Sequence, residues 1–128
     1  MEIIMGLTGK AEISVDINNT AKAMGSGDLE VFATPAMIAL MEKAATLAVS
    51  ECIPEGSSTV GTMINVKHIA ATPVGMKISA QATLTEVDGK RLFFIVEAFD
   101  GKDKIGEGQH ERFIINVDKF MVRANGKR

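Results

Sequence analysis

Val31-Phe32-Ala33-Thr34-Pro35-Ala36-Met37-Ile38-Ala39-Leu40-Met41-Glu42-Lys43-Ala44-Ala45-Thr46-Leu47-Ala48-Val49-Ser50 reads as one helix. Thr34 has the chemistry of an N-cap, since its hydroxyl can accept from a free N–H of the first turn. Pro35 then falls at the first helical position, where its fixed φ helps and its missing N–H costs nothing. Beyond Pro35 the strong helix formers Ala, Met and Leu dominate, and no glycine interrupts until Gly56. Met37, Leu40, Met41, Ala44, Leu47 and Ala48 make one broad apolar face, and Ile38, Ala45 and Val49 cover much of the rest. A helix apolar nearly all round is expected to be buried nearly all round. Glu42 breaks the pattern, with Ile38, Ala45, Thr46 and Val49 as its helical neighbours. A carboxylate there is costly to bury unless something pairs with it or uses it.

Downstream of the break at Pro54-Glu55-Gly56-Ser57-Ser58 the pattern changes to sheet. Thr59–Thr72 reads as a long strand weakened at Gly61, and Pro73-Val74-Gly75 as a turn. From Met76 to Thr85 apolar and polar residues alternate with a period of two. Asp88-Gly89 marks a hairpin. Arg91–Phe99 is apolar on both faces, which predicts a central strand, and Asp100-Gly101 marks a second turn. Lys104–Val117 is the last strand, with His110, Arg112 and Ile114 on one parity and Gly106 and Gly108 leaving a bare patch where a ligand or a helix comes close. Upstream, Leu7–Ile17 alternates as a half-buried strand, and Asn18–Asp28 reads as a mobile loop with a helical turn near Thr20–Met24. The order is therefore strand, loop, long apolar helix and antiparallel strands on tight turns. A flat sheet cannot cover such a helix, so the sheet must curl round it. This α+β arrangement, one long central helix wrapped by a curled antiparallel sheet of about five strands, is the hotdog fold, expected to pair with a second copy through an open edge. Residues 1–128 form a single domain on this reading, with 118–128 as a C-terminal tail.

Composition removes other classes. The formal net charge is −2, which gives no electrostatic footprint for nucleic acid. A single cysteine, Cys52, excludes an intrachain disulfide, and two histidines offer no zinc-ligand spacing, so neither metal nor cofactor is expected. No apolar run approaches a membrane span and no leader pattern opens the sequence, so the expected location is cytoplasmic. Ser57 and Ser58 lack a G-x-S-x-G context, and no G-x-G-x-x-G follows a strand.

Four blocks carry a resemblance. Val31-Phe32-Ala33-Thr34, Leu40-Met41-Glu42, Val66-Lys67-His68-Ile69-Ala70-Ala71-Thr72-Pro73-Val74-Gly75 and Gly108-Gln109-His110-Glu111-Arg112 occur in the order found in the fluoroacetyl-CoA thioesterase-like branch of the hotdog thioesterases, which the chain resembles from about Glu30 to Phe120. The resemblance implies a metal-independent acyl-CoA thioesterase, acting as a homodimer or higher oligomer with sites at the subunit interface. It implies catalytic roles for Thr34, Glu42 and His68, and substrate-binding roles for Gly61, Arg112 and Phe32. The fluoroacetyl-selective enzymes carry phenylalanines in the lid before the threonine. Here that segment is Gly25-Ser26-Gly27-Asp28, so a short acyl group other than fluoroacetyl is expected.

Thioester hydrolysis needs an attacking oxygen, proton transfer to the leaving thiolate and donors for the oxyanion. Glu42 can serve as base or as nucleophile, His68 as an acid–base near neutral pH. Each has a plain structural alternative: Glu42 paired with Arg112 or His68, Thr34 as a helix cap, His68 as a satisfied strand residue, Gly61 as a bulge, Arg112 as a surface partner. A non-catalytic acyl-CoA-binding or sensing domain is the second functional class. It would keep the pocket and have no need of Glu42.

Overall fold

The alternation from Met76 onward becomes a strand in which Ile78, Ala80, Ala82 and Leu84 are all buried and the residues between them are not. The computed structural model describes residues 2–128. Its strands are β1 (Thr8–Ser14), β2 (Ser57–His68), β3 (Lys77–Asp88), β4 (Arg91–Phe99) and β5 (Lys104–Asn116). They form an antiparallel sheet in the order β1-β3-β4-β5-β2, so β4 is central, as its two apolar faces predict. The helices are α1 (Ala21–Met24), α2 (Thr34–Val49) and α3 (Val117–Asn125), with a single 3₁₀ turn at Ser50–Cys52. None of the described helices is long and apolar enough to cross a membrane.

Helix α2 lies in the curl of the sheet, mainly over β1 and β3. Met37, Leu40, Met41, Ala44, Ala45, Ala48 and Val49 face Ala11, Ile78, Ala80, Ala82, Leu84, Leu92, Phe94, Val96 and Ala98 in one core. Each large apolar side chain buried there contributes about 1.5–3 kcal/mol. Small residues set how closely the layers meet. A Cβ on Gly9 of β1 would collide with the carbonyl of Ala44 and the backbone of Ala48, and one on Gly106 of β5 would collide with the end of Met37. Gly106 therefore admits the helix. Gly108 instead sits tight against the backbone of β2 at Asn65 and Val66.

The helix is less enclosed than its composition predicts. Thr34, Ala39, Lys43, Thr46 and Leu47 are exposed, Leu47 at 45%, and Glu42 is half-exposed. Ala39 and Lys43 border a hollow with Glu12 and Ile13 of β1, whereas Ile38 and Glu42 face β2. Strand β2 lies at the sheet edge and is largely exposed, with Met63 and Ile64 both uncovered.

Local chemistry moves several boundaries. Ala33, not Thr34, is the N-cap of α2, without a side-chain capping bond, because the Thr34 hydroxyl is turned to a histidine. Strand β2 ends at His68 and not at Thr72, since Thr72 accepts from the Phe32 amide and Pro73 bridges to Val31. The β3–β4 loop is Gly89-Lys90, one residue later than the Asp88-Gly89 signal, with Gly89 supplying φ of 62°. The segment from Asn18 to Asp28 is knitted together: Asn19 is buried and bonded to Ser14 and Asp16, Thr20 caps α1, and Gly25 closes it in the left-handed region. The stretch after Asn116 is helical, capped by the Asn116 side chain, where the sequence offered no signal.

Replacing Gly9 by alanine should force α2 away from β1. Because the obstruction is backbone, we expect destabilisation at or above the upper end of the ~1–3 kcal/mol that overpacking costs, read as a lower urea midpoint with an unchanged m-value.

Candidate active site

Two polar clusters lie along the open side of α2. In the first, Thr34 opens the helix and His68 closes β2, with Thr34 Oγ1 and His68 Nδ1 2.8 Å apart. His68 Nε2 is buried and has no hydrogen-bond partner. Burial pushes the His68 pKa below its ordinary value, and the backbone of Ala70 opposes the shift without making a well-formed bond to Nε2. The imidazole is therefore neutral at neutral pH. In the tautomer with Nδ1 unprotonated, it accepts the Thr34 hydroxyl proton and raises the nucleophilic character of that oxygen. A hollow of about 310 Å³ opens here, lined by Ser26, Val31, Phe32, Thr34, His68 and Ala70 among others. Phe32 is 1% exposed and serves as its floor.

The second cluster surrounds Glu42. Arg112 Nη1 stands 3.5 Å from Glu42 Oε2, with the arginine side chain 9% and the glutamate side chain 41% exposed. Glu42 is thus not the enclosed carboxylate that its helical neighbours suggest. Arg112 is not a surface partner either. Its Nε donates to Thr59 Oγ1 and its Nη2 to the Thr59 carbonyl, each at 2.9 Å. Burial lowers the Arg112 pKa and Glu42 opposes that, and a guanidinium keeps its charge regardless. Its Nη1 also contacts His110 Nε2 at 3.2 Å, while His110 Nδ1 is 2.8 Å from the Met63 carbonyl. A carbonyl only accepts and a guanidinium only donates, so Nδ1 carries the His110 proton and Nε2 accepts from Arg112. Burial, the first cause, and the Arg112 charge both hold the His110 pKa below its ordinary value.

Gly61 belongs to this second cluster. A Cβ there would lie 2.7 Å from Glu42 Oε2 and 3.3 Å from His110 Cε1, so the missing side chain is what lets the carboxylate in. The register of β2 against β5 slips between Gly61 and Met63, a bulge that kinks the strand beside Glu42. Gly61 thus sits at a bulge, as one reading of the sequence has it, and also lies against the Glu42 carboxylate. Ile38, Glu42, Gly61, Met63, Ile64 and His110 line a hollow of about 240 Å³.

Thr34 is thus joined to His68, and Glu42 to Gly61 and Arg112, but Glu42 does not reach His68. Eight residues of helix separate Thr34 from Glu42, about 12 Å along the axis. His110, the only rival to His68 that the sequence offers, joins the second cluster instead. Its parity with Arg112 on β5 was the available signal.

A helix seated in a curled antiparallel five-stranded sheet is the hotdog fold. Residues 15–118 match the profile of the fluoroacetyl-CoA-specific thioesterase (FlK) family, and the chain belongs to that family. It is 44% identical over 98 residues to the fluoroacetyl-CoA thioesterase of Streptantibioticus cattleyicolor, covering 77% of this chain and 70% of that protein. The crystal structure of the fluoroacetyl-CoA thioesterase FlK superposes with a TM-score of 0.93 at 34% identity, covering 100% of this chain and 99% of that one. A threonine-to-serine variant of FlK in complex with acetyl-CoA gives 0.92 at 34% identity, covering 98% of each chain. A thioesterase superfamily member from Thermus thermophilus gives 0.89 at 26%, covering 98% and 96%. The protein is accordingly a thioester hydrolase.

Both histidines resist protonation in the fold, whereas the unfolded chain takes up protons near the ordinary histidine value, about 6.5. Stability should hold above that value and decline as pH falls below it, until the lowered folded pKa values are passed. Urea midpoints measured between neutrality and mild acid should show the decline, and a variant lacking both imidazoles should flatten it.

Proposed function

We propose that the protein hydrolyses a short-chain acyl-CoA thioester, working as a homodimer with Glu42, Thr34 and His68 as its reacting groups. The observation that carries this reading is the Glu42 carboxylate. It is half-exposed at a hollow, faced by a charged guanidinium and given room by a glycine. At 3.5 Å Arg112 stands beyond the ~2.7–2.9 Å of a charge-assisted bond and leaves the carboxylate lone pairs open. Glu42 either attacks the thioester carbonyl or takes a proton from the attacking water. Thr34 sits at the N-terminal end of α2, where the helix dipole favours developing negative charge, and His68 supplies proton transfer through Nδ1. Phe32, Gly61 and Arg112 border the substrate. A metal has no part in this scheme, and the expected location remains cytoplasmic.

The homodimer reading is supported by the exposed residues of α2 and the exposed β2 edge, which offer a second copy a surface beside Glu42. A site at the subunit interface would also answer the separation of Glu42 from the Thr34–His68 pair within one chain. The acyl group is held to be short because both hollows are small. It is not held to be fluoroacetyl, although the relatives are named for that substrate, because Gly25-Ser26-Gly27-Asp28 brings no aromatic ring to the entrance.

Hydrolysis of acetyl-CoA and fluoroacetyl-CoA, followed by thiol release on a preparation that light scattering shows to be dimeric, tests the reading. Turnover of acetyl-CoA with no strong preference for fluoroacetyl-CoA in kcat/KM is expected, and a strong fluoroacetyl preference would overturn the substrate assignment. Glu42→Gln should lower kcat on the order of 10²–10⁴-fold. Its thermal midpoint should move little, because Thr59 and His110 still hold Arg112. A variant that melts far lower yet still turns over would leave Glu42 a structural role only.

A further inference from the structure

We propose that His110 is a positioning residue for the hydrolysis, its Nε2 holding the Arg112 guanidinium off Glu42 and so leaving the carboxylate free to react. The proposal rests on the reading of Glu42 as the reacting group. His110 is 1% exposed, and both its ring nitrogens are used, Nδ1 on the Met63 carbonyl of β2 and Nε2 on Arg112 of β5. Phe94 of β4 backs the ring, with centroids 6.2 Å apart. The charged groups that face it are Arg112 from β5 and Glu42 from α2, and Glu111, next to it in sequence, is turned to Thr62 and Arg91. The imidazole therefore has one orientation and one tautomer available.

The guanidinium is planar, so its N–H directions are fixed relative to one another. Thr59 takes Nε–H and one N–H of Nη2, and His110 takes one N–H of Nη1. With these three placed, the remaining Nη1–H has a single direction, and the guanidinium cannot swing forward. The result is the 3.5 Å separation from Glu42 Oε2. That is longer than the 2.7–2.9 Å of a charge-assisted bond. At this distance the positive charge favours the ionised carboxylate without occupying its lone pairs. Without an acceptor at the position of Nε2, Arg112 is free to close on Glu42 and tie up the oxygen that must attack or take a proton. The Gly61 gap matters for the same reason, since Oε2 occupies it beside His110 Cε1.

Two substitutions separate this role from plain packing. His110→Asn keeps a donor near the Met63 carbonyl but offers nothing to Arg112. His110→Gln carries its amide oxygen out to the Nε2 position and can accept from Arg112. With acetyl-CoA as the probe, His110→Asn should lower kcat on the order of 10–100-fold with KM little changed, as misplacement near the reacting atoms does. His110→Gln should recover most of that loss even where the two variants melt alike. Equal loss in both variants, or wild-type turnover in His110→Asn while Glu42→Gln is inactive, would overturn the proposal and leave the reading of Glu42 standing. Full turnover in Glu42→Gln would overturn both. If neither variant folds, nitrogen NMR of the wild-type histidines still decides. A protonated Nδ1 and unprotonated Nε2 at His110 are required, and the opposite tautomer would overturn the proposal.

Discussion

The contact between α2 and β1 has no slack. At its closest point the helix backbone at Ala44 and Ala48 rests on Gly9, and the neighbouring layers meet through Ala11, Ala80, Ala82 and Ala98. Close packing of this kind fixes the helix in translation and rotation together, because interiors tolerate displacement poorly. Everything on the open side inherits that precision. With Met41, Ala44 and Ala48 committed to the core, Ile38 and Glu42 fall on the flank of the helix that meets β2. The polar groups of α2 are therefore placed by the packing of its core face.

Much of this was legible from periodicity. A two-residue repeat gives the faces of β3, a both-faced apolar run gives the central place of β4, and an apolar helix too broad for a flat sheet gives the curl. Composition overstates the burial of that helix, because it cannot distinguish a residue covered by its own chain from one left open to solvent, as Leu47 is. The Thr34 cap fails for a related reason. A threonine before Pro-Ala has cap chemistry, but its hydroxyl goes to His68, and a partner 34 residues away in sequence has no local signature. His110 shows the converse. Its parity was visible, yet its setting is made by two contacts, a long-range one to the Met63 carbonyl on β2 and one to an arginine that is itself bonded to Thr59. The C-terminal helix lay beyond periodicity because none of its residues is buried.

Several residues around Glu42 meet more than one structural demand. Gly61 sits at a strand bulge and also makes room for a carboxylate. Gly106 is simply a slot for Met37. Arg112 is held chiefly by Thr59 and His110 and meets Glu42 only with what remains of its donor set. That hierarchy matters physically: a guanidinium anchored by neutral groups can present charge without collapsing into an ion pair.

The distance between the two clusters along α2 also bears on how such a protein can diverge. Sites more than about 7–10 Å apart with no shared partners respond to substitution almost independently. Changes around Ser26 and Val31 alter the surroundings of Thr34 and His68, while Arg112, His110 and Gly61 keep their geometry. The surroundings of the Thr34–His68 pair and the electrostatics of the Glu42 carboxylate can thereby change separately. A lineage can retune the first by drift in a surface segment while the second, locked into the sheet, stays as it was.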